Sequence, residues 1–159
     1  MSVQNPFSND PDRHAIWDML MTRDFRAFAA QDWSMVAADF DAHRFLGVHA
    51  HFSDDKDTWT PDFPALEIYR DEWLRQAADS AGAHYAEPLE EQLLKAVTMD
   101  QIDIHGEVAI AHKKFDGVVK LADGKEDVLD WQTLYFCRKN AGRWQITGFV
   151  GYIRDRAGA

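Results

Sequence analysis

One acidic side chain in this sequence occupies a position where the pattern predicts an apolar one. Six residues recur at helical spacing and predict a buried stripe on the first helix: Ile16, Trp17, Leu20, Met21, Ala27 and Phe28. Asp24 falls in the middle of this stripe, seven residues after Trp17 and four before Phe28. A carboxyl group at that position either transfers protons in a pocket or pairs with Arg23, with Arg26 or with a residue of the sheet.

Two histidines offer a partner for this acid. His49 and His51 alternate with Ala50 in a segment of strand character, so their imidazoles share one face. Histidine exchanges protons near neutral pH. We therefore consider Asp24 and His49 a candidate acid–base pair, in which His49 takes a proton and Asp24 orients it or protonates the substrate.

The same two histidines have a spacing that suits a metal ion, and Asp54 and Asp55 follow closely. A third ligand at a diagnostic spacing is missing from the sequence. We expect no metal ion and no other cofactor.

Aromatic residues make up 13% of the chain, and this share favours an aromatic-lined pocket. Such a pocket would take a small hydrophobic or flat aromatic molecule. The side chains expected to bind it are Trp17, Met21, Phe28, Trp131 and Tyr135. For each of them taken singly, ordinary core packing is the alternative.

A short basic run lies further along the chain. His112 and Lys114 share one face of a predicted strand, and Lys113 lies on the opposite face. In a pocket, His112 and Lys114 would hold a carboxylate or an enolate oxygen of the substrate. On the outer end of a strand they would be solvated charges.

Residues 128–153 predict the hairpin that positions these groups. Two segments rich in aromatic residues flank a polar turn at 139–142, where Asn and Gly tolerate positive φ. Both faces of both arms carry large apolar groups, so we expect a sheet that is covered on both sides. Trp131 and Tyr135 share one face and Asp130 lies on the other, but alternation alone leaves open which face lines the pocket.

The other elements follow from periodicity and chain breakers. They are a helix ending near residue 30, a short helix at 33–40, a strand within 43–52, a loop at 53–64, a helix at 65–82, a strand at 93–105 and a strand at 108–115, followed by a turn region from 116 to 124. Helices first and strands last indicate an α+β fold. A curled sheet would enclose the first helix on its concave side, and a second subunit would cover the convex side.

Length and charge limit the classes of function. The 159 residues fit a single domain over 1–159, with a loose tail at 1–9 and a frayed tail at 154–159. A formal charge of −10 argues against nucleic-acid or membrane partners. The lone Cys137, the lack of a signal peptide and the lack of a long apolar run predict the cytoplasm. Phosphate-binding loops, serine nucleophile elbows and HExxH motifs are absent from the sequence.

The order of elements resembles the nuclear-transport-factor-2-like superfamily and its SnoaL-like domains. Three segments carry the resemblance: RDFRAFAAQDWSMVAADF, IDIHGEVAIAHKKFDG and LYFCRKNAGRWQITGFVGYI. It implies a cone-shaped, cystatin-like α+β fold with a curved antiparallel or mixed sheet around the N-terminal helices, and a homodimer. The superfamily includes ketosteroid isomerases, scytalone dehydratases, polyketide cyclases and modules without catalysis, so the fold alone does not give an activity.

Two site residues follow from the resemblance. Steroid isomerases of this fold place a Tyr eight residues before the Asp that begins the second helix, and counting back from Asp32 reaches Asp24 instead. The isomerase base lies on the next strand, where His49 is the nearest group able to take a proton. The expected function is a cofactor-independent isomerase, dehydratase or cyclase that acts by proton transfer in an aromatic pocket. The alternative is a ligand-binding or dimerisation module without catalysis.

Overall fold

The computed structural model describes residues 3–154 of the chain. The helices are α1 (Pro11–Trp17), a π-helical segment (Asp18–Arg23), α2 (Asp24–Ala29), α3 (Leu66–Ala81) and α4 (Leu89–Ala96). The strands are β1 (Leu46–Ser53), β2 (Thr60–Phe63), β3 (Val97–His105), β4 (Val108–Lys120), β5 (Glu126–Asn140) and β6 (Arg143–Arg154). Within this range, no helix is long and apolar enough to cross a membrane.

The N-terminal segment is attached to the rest of the chain, although the sequence predicts a loose tail there. Residues 3–9 form no helix or strand, but Asn5 donates to the backbone oxygen of His14 and Phe7 packs against the core. Arg154 is the last residue of β6, and the rest of the expected C-terminal tail lies outside the described residues.

The first helical stretch begins and ends close to the predicted residues. Asp10 caps it, because its side chain accepts a hydrogen bond from the N–H of Arg13, and Pro11 occupies the first turn. The stretch ends at Ala29. It is not a continuous α-helix, since the π-helical segment separates α1 from α2.

Residues 33–40 form two short 3₁₀ turns where the sequence predicts one helix. Asp32 caps the first turn. The carboxylate of Asp39 is 1% exposed and binds Arg23 at 2.8 Å and Arg143 at 2.9 Å. This buried acid ties the 3₁₀ segment to the first helical stretch and to β6, because each arginine belongs to one of those elements.

The sheet is mixed, as the resemblance implies. Its strand order is β2-β1-β6-β5-β4-β3, in which β1 and β6 are parallel and every other neighbouring pair is antiparallel. The predicted C-terminal hairpin is confirmed, with Ala141 and Gly142 at positive φ in its turn. The segment expected to be a loop at 53–64 contains the short edge strand β2.

A β-bulge changes which side of β6 faces the core. Phe136 pairs with Gly148 while Cys137 pairs with Ile146, so Thr147 is an extra residue in β6. Ile146 is buried before the bulge and Phe149 is buried after it. Strict alternation along this arm, as predicted from the sequence, is therefore wrong beyond Thr147.

Helix α4 was not predicted. The sequence pattern favours a strand from Leu93 to His105, but residues up to Ala96 belong to α4 and the strand begins at Val97. Pro88 precedes the helix, glutamates occupy its first turn and Lys95 its last, which matches the helix dipole. The periodicity of a helix this short resembles that of a buried strand.

The turn predicted at Asp116 and Gly117 is also wrong, because β4 continues through both residues to Lys120. A Cβ atom on Gly117 would lie 2.9 Å from the Cβ of Ala96. This glycine therefore allows α4 to pack directly on β4, and it does not serve a turn.

Gly148 offers a test of the parallel pairing between β1 and β6. A side chain at this position would overlap the backbone oxygen of Leu46, which has no room to move. We expect Gly148→Ala to lower the free energy of unfolding by about 1–3 kcal/mol, measured by urea denaturation. Gly82→Ala at the end of α3 is the matched control, because its Cβ would lie at an ordinary 3.5 Å from Asp79 and its φ is −75°. It should leave stability unchanged or raise it by up to about 1 kcal/mol.

Candidate functional site

A cavity of about 350 Å³ lies between α2, α3, α4 and the inner faces of β4, β5 and β6. This volume lies within the range of small-molecule binding pockets. Its lining is mostly aromatic and aliphatic, and comprises Asp24, Phe25, Phe28, Tyr69, Trp73, Gln76, Asp79, Ser80, Tyr85, Leu89, Leu93, Phe115, Val119, Asp127, Leu129, Trp131, Thr133, Tyr135, Phe149, Gly151 and Tyr152.

Asp24 is the most enclosed acid of this cavity. It is the first residue of α2, and its side chain is 25% exposed. One carboxylate oxygen accepts a hydrogen bond from Lys113 Nζ at 3.0 Å. The other accepts a longer one, 3.4 Å, from Trp73 Nε1. The carboxylate is therefore held in a fixed orientation with part of its surface turned to the cavity.

Lys113 is wholly buried behind Asp24, at 0% exposure. Its ammonium group donates to Asp24 and to the backbone oxygen of Leu20. It also lies 4.2 Å from the ring centre of Phe25. Burial lowers the pKa of Lys113, and the charge of Asp24 acts in the opposite direction. A buried ammonium group is tolerated when fixed oxygen atoms accept its hydrogen bonds and an opposite charge lies beside it, and Leu20 and Asp24 provide these here.

The π-helical segment positions the two oxygens that Lys113 binds. At its C-terminal end the N–H of Asp24 bonds to the oxygen of Met21, three residues back, and not to the oxygen of Leu20 as in a regular α-helix. The backbone oxygen of Leu20 instead accepts a hydrogen bond from Lys113 Nζ, as the Asp24 carboxylate does. π-Helical turns are rare and often occur at functional sites.

Four tyrosines line the cavity, and one of them, Tyr85, donates its hydroxyl to the backbone oxygen of Ser80. Burial raises the pKa of Tyr69, Tyr135 and Tyr152, so all three stay protonated at neutral pH. The hydroxyl of Tyr152 accepts a hydrogen bond from Gln76 at 2.7 Å. Within residues 3–154, the hydroxyls of Tyr69 and Tyr135 have no protein hydrogen-bond partner and are not sealed from solvent. They are available to donate to a molecule in the cavity.

The charged groups that line the cavity are all acidic in the described part of the chain. Asp79 and Asp127 lie at its rim, and Asp79 binds Arg75 at 2.8 Å. The charge of Asp24 is balanced by Lys113. The cavity thus favours a neutral molecule over an anion.

Four of the residues predicted for the site do line this cavity: Asp24, Phe28, Trp131 and Tyr135. The sequence left open which face of the hairpin lines the pocket. Trp131 and Tyr135 line the cavity and Asp130 is exposed, so the face that carries the two aromatic residues is the inner one. Trp17 and Met21 lie elsewhere. They are 3% and 1% exposed within the helix-side core and do not line the cavity.

His49 is not brought to Asp24. Its ring stacks on Tyr152 at 4.4 Å and on His51 at 4.4 Å, and it does not line the cavity. Burial, followed by the charge of His51, lowers the pKa of His49. The predicted acid–base pair is corrected accordingly, because the side chains bonded to Asp24 are Lys113 and Trp73.

His112 and Lys114 also lie outside the cavity. His112 bonds to Gln101 and Gln132 on the neighbouring strands, and Lys114 is exposed. Side chains alternate along β4, so the face that carries these two residues is the outer one and Lys113 faces inward. His112 and Lys114 therefore do not line the cavity, contrary to the expectation from the sequence. The basic residue of this run that lies next to the cavity is Lys113, which binds Asp24.

Sequence reasoning missed Lys113, Tyr69 and Trp73 as site residues. A signal for Lys113 is present, because it interrupts the small and apolar row of Ala109, Ala111 and Phe115 on β4, as Asp24 interrupts its helical stripe. Tyr69 and Trp73 lie on the apolar face of α3, where nothing in the sequence distinguishes a cavity wall from the core.

Solved structures share this fold. Aln2 from a Streptomyces species superposes with a TM-score of 0.62 at 13% identity, covering 92% of both chains. A domain of unknown function with a cystatin-like fold from Nostoc punctiforme gives 0.58 at 14% identity, over 95% of this chain and 82% of that one. An NTF2-like protein of unknown function from Silicibacter pomeroyi gives 0.55 at 15% identity, over 93% of this chain and all 100% of that one.

These similarities confirm the predicted fold: the chain has the NTF2-like, cystatin-like α+β fold. At such low identity they carry no information about activity. No protein-family model matches the sequence, and no curated protein is significantly similar to it.

The bond between Asp24 and Lys113 can be measured with a double-mutant cycle. Lys113→Met leaves the Leu20 oxygen and the Asp24 carboxylate without their cation, and should cost about 3–5 kcal/mol of unfolding free energy. Asp24→Asn should also destabilise the fold. The double variant should lose less than the sum of the two, by about 0.5–3 kcal/mol, in urea denaturation.

The exposed pair of Arg26 and Glu90, at 3.2 Å, provides the control cycle. Its coupling should be within about 0.2–1 kcal/mol, because solvent screens it. Strictly additive effects of Asp24→Asn and Lys113→Met would contradict a coupled buried pair.

Proposed function

We propose that this protein, whose chain has the NTF2-like fold, is a cofactor-independent enzyme that moves a proton on a small, flat, largely apolar carbonyl compound. The reaction class is that of an isomerase, a dehydratase or a cyclase. One observation carries the proposal: the Asp24 carboxylate faces an aromatic cavity and is held from behind by the buried Lys113.

Asp24 has the features of a general base. Its oxygens accept hydrogen bonds from Lys113 and Trp73, which hold the carboxylate in one orientation. Its remaining surface faces the cavity, where it can take a proton from the carbon next to a carbonyl group of a ligand. Lys113 is a positioning residue in this scheme, because it is sealed from the cavity by the groups around it.

Tyr69 and Tyr135 supply the complementary groups. Removing a proton next to a carbonyl places negative charge on the carbonyl oxygen, and a preorganised hydroxyl donor stabilises that charge. Both phenols remain protonated at neutral pH and have no protein partner within the described residues. Donors and base thus line the same cavity.

The walls support a neutral ligand with fused rings. Phe28, Trp73 and Trp131 offer flat apolar surface, and the acidic rim disfavours anionic ligands. The resemblance of the sequence to SnoaL-like domains, whose superfamily includes polyketide cyclases and ketosteroid isomerases, supports the same substrate class.

Deuterium exchange at the carbon next to a carbonyl tests the proposed chemistry. We expect the protein in D₂O to exchange the acidic C–H protons of a bicyclic ketone such as β-tetralone above the buffer rate, measured by mass spectrometry. Asp24→Asn should lower this rate about 100-fold or more, because an amide cannot take the proton. Asp130→Asn, an exposed acid outside the cavity, is the matched control and should leave the rate unchanged.

Ligand binding, followed by quenching of tryptophan fluorescence, separates the possible outcomes. Binding without exchange in a panel of neutral ring ketones would identify a ligand-binding module without catalysis and overturn the enzyme proposal. Exchange that persists in Asp24→Asn would place the base elsewhere.

We further propose that the protein forms a homodimer through the outer face of its sheet. Ile110, Phe136 and Leu46 lie in one row across neighbouring strands and are 44%, 37% and 47% exposed. Arg44 and Asp103 flank the row with opposite charges, so that two copies related by a two-fold axis can pair them. The cytoplasm, favoured by the lone and buried Cys137, remains the expected compartment.

The dimer is tested by analytical ultracentrifugation. Phe136→Lys should weaken association about tenfold or more, because it places a charge in the centre of the apolar row. Ile68→Lys changes an equally exposed apolar residue, 45% exposed on α3, and should have no effect. A wild-type protein that is monomeric at micromolar concentration would contradict the proposal.

A further inference from the structure

We propose that His49, His51 and Asp62 bind one divalent transition-metal ion on the surface formed by β1 and β2. Each of the three side chains offers a ligand atom, and these atoms lie within 4.8 Å of one another. Two imidazoles and one carboxylate suit borderline ions such as Zn²⁺ or Co²⁺ better than Mg²⁺ or Ca²⁺. The site lies outside the cavity and does not rest on the proposed proton transfer.

A distortion of β1 brings the two histidines together. In a regular strand, side chains two residues apart are separated by about 6.6 Å. The rings of His49 and His51 stack at 4.4 Å. The cause is local: His51 and Phe52 have φ of 54° and 56°, and the register between β1 and β6 shifts between His49 and Ser53.

This backbone conformation is costly for residues other than glycine. Two consecutive residues in the left-handed region near the end of β1 indicate a conformation that the surroundings impose, and such strain concentrates at functional sites. Here its effect is to gather imidazole nitrogens at one point of the strand.

Asp62 completes the set from the neighbouring strand. Its Oδ2 lies 4.0 Å from His51 Nε2. Ligand atoms on one metal ion lie about 3.0–3.4 Å apart, since each is about 2.1 Å from the ion. A small rotation of these exposed side chains, 45% and 40% accessible, therefore closes the site.

Thr60 holds the carboxylate in place. Its hydroxyl lies 2.6 Å from Asp62 Oδ1 and 2.6 Å from His51 Nε2. With the ion bound to Nε2 and Oδ2, the hydroxyl continues to donate to Oδ1. Hydrogen bonds of this type orient the ligands of metal sites.

To bind a metal ion, His49 has to give up a hydrogen bond that its ring accepts. Its Nδ1 accepts a hydrogen bond from the N–H of His51 at 2.9 Å, and a nitrogen that binds a metal needs a free lone pair. A flip of the ring by about 180° about Cβ–Cγ releases this bond and, because it restores the same ring plane, retains the stacking on Tyr152. The exchange and the open surface predict a dissociation constant of the order of micromolar.

Neither the sequence spacing nor composition could identify the third ligand. Asp54 and Asp55 follow the histidines directly, but Asp55 caps the 3₁₀ turn at Lys56–Thr58. Asp62 comes from β2, which the sequence predicts to be part of a loop. The proposed site differs from the expectation from the sequence that the chain binds no metal.

Titration of the tag-free protein with Co²⁺ and with Zn²⁺ tests the site. We expect one ion per chain by calorimetry, together with Co²⁺ absorption in the visible range. Asp62→Asn should weaken binding about tenfold or more, and so should His51→Asn, which keeps a residue tolerant of positive φ. His105→Gln removes an exposed histidine from the far end of β3 and is the control.

Two results would overturn the proposal. One is the absence of stoichiometric Co²⁺ or Zn²⁺ binding by the wild-type chain. The other is binding that persists in the triple variant His49→Gln/His51→Asn/Asp62→Asn, or that falls equally in His105→Gln. Circular dichroism of each variant verifies that it is folded, so that loss of binding reports on the ligands and not on the fold.

Discussion

The ammonium group of Lys113 sets the main constraint on this structure. A charge with no access to water costs several kcal/mol unless fixed partners surround it. Leu20, within the π-helical segment, supplies a backbone oxygen, and Asp24, directly after it, supplies a carboxylate. The inner row of β4 contributes space, because Ala109 and Ala111 let the helix lie close enough for Lys113 to reach it.

The same constraint defines the cavity. Because Lys113 fixes Asp24 from behind, the carboxylate is turned towards the aromatic walls and not towards solvent. The 3₁₀ segment keeps the helix in this position through Asp39, which binds one arginine from each side. The cavity is thus a consequence of two buried charge clusters that hold one helix against a curved sheet.

Charges that interrupt apolar periodicity were the most informative signals in the sequence. Asp24 was recognised because six apolar neighbours form a clear helical stripe. Lys113 gives the same signal on β4, but its neighbours His112 and Lys114 are polar on the other face, and a strand pattern does not reveal which face is inside. The α+β order and the C-terminal hairpin were predictable because long periodic segments and turn residues agree there.

What could not be predicted depends on contacts between distant segments. The bulge at Thr147 reverses the inward face of β6 and is set by pairing with β5. The stacking of His49 and Tyr152 likewise follows from distortions on two neighbouring strands. α4 was missed because eight residues give too little periodicity to separate a helix from a buried strand.

The widened turn between α1 and α2 has a consequence for how this protein tolerates insertions and deletions. Each residue of an α-helix turns the chain by about 100°. A π-helical turn holds one residue more than an α-helical turn, so loss of one residue from Asp18–Arg23 would restore a regular helix with Pro11–Trp17 and α2 nearly in phase. Loss of a second residue would rotate Pro11–Trp17 by about 100° relative to α2, and Ile16 and Trp17 would leave the core or Asp24 would leave Lys113. The segment can therefore lose one residue without a change of phase, but not two.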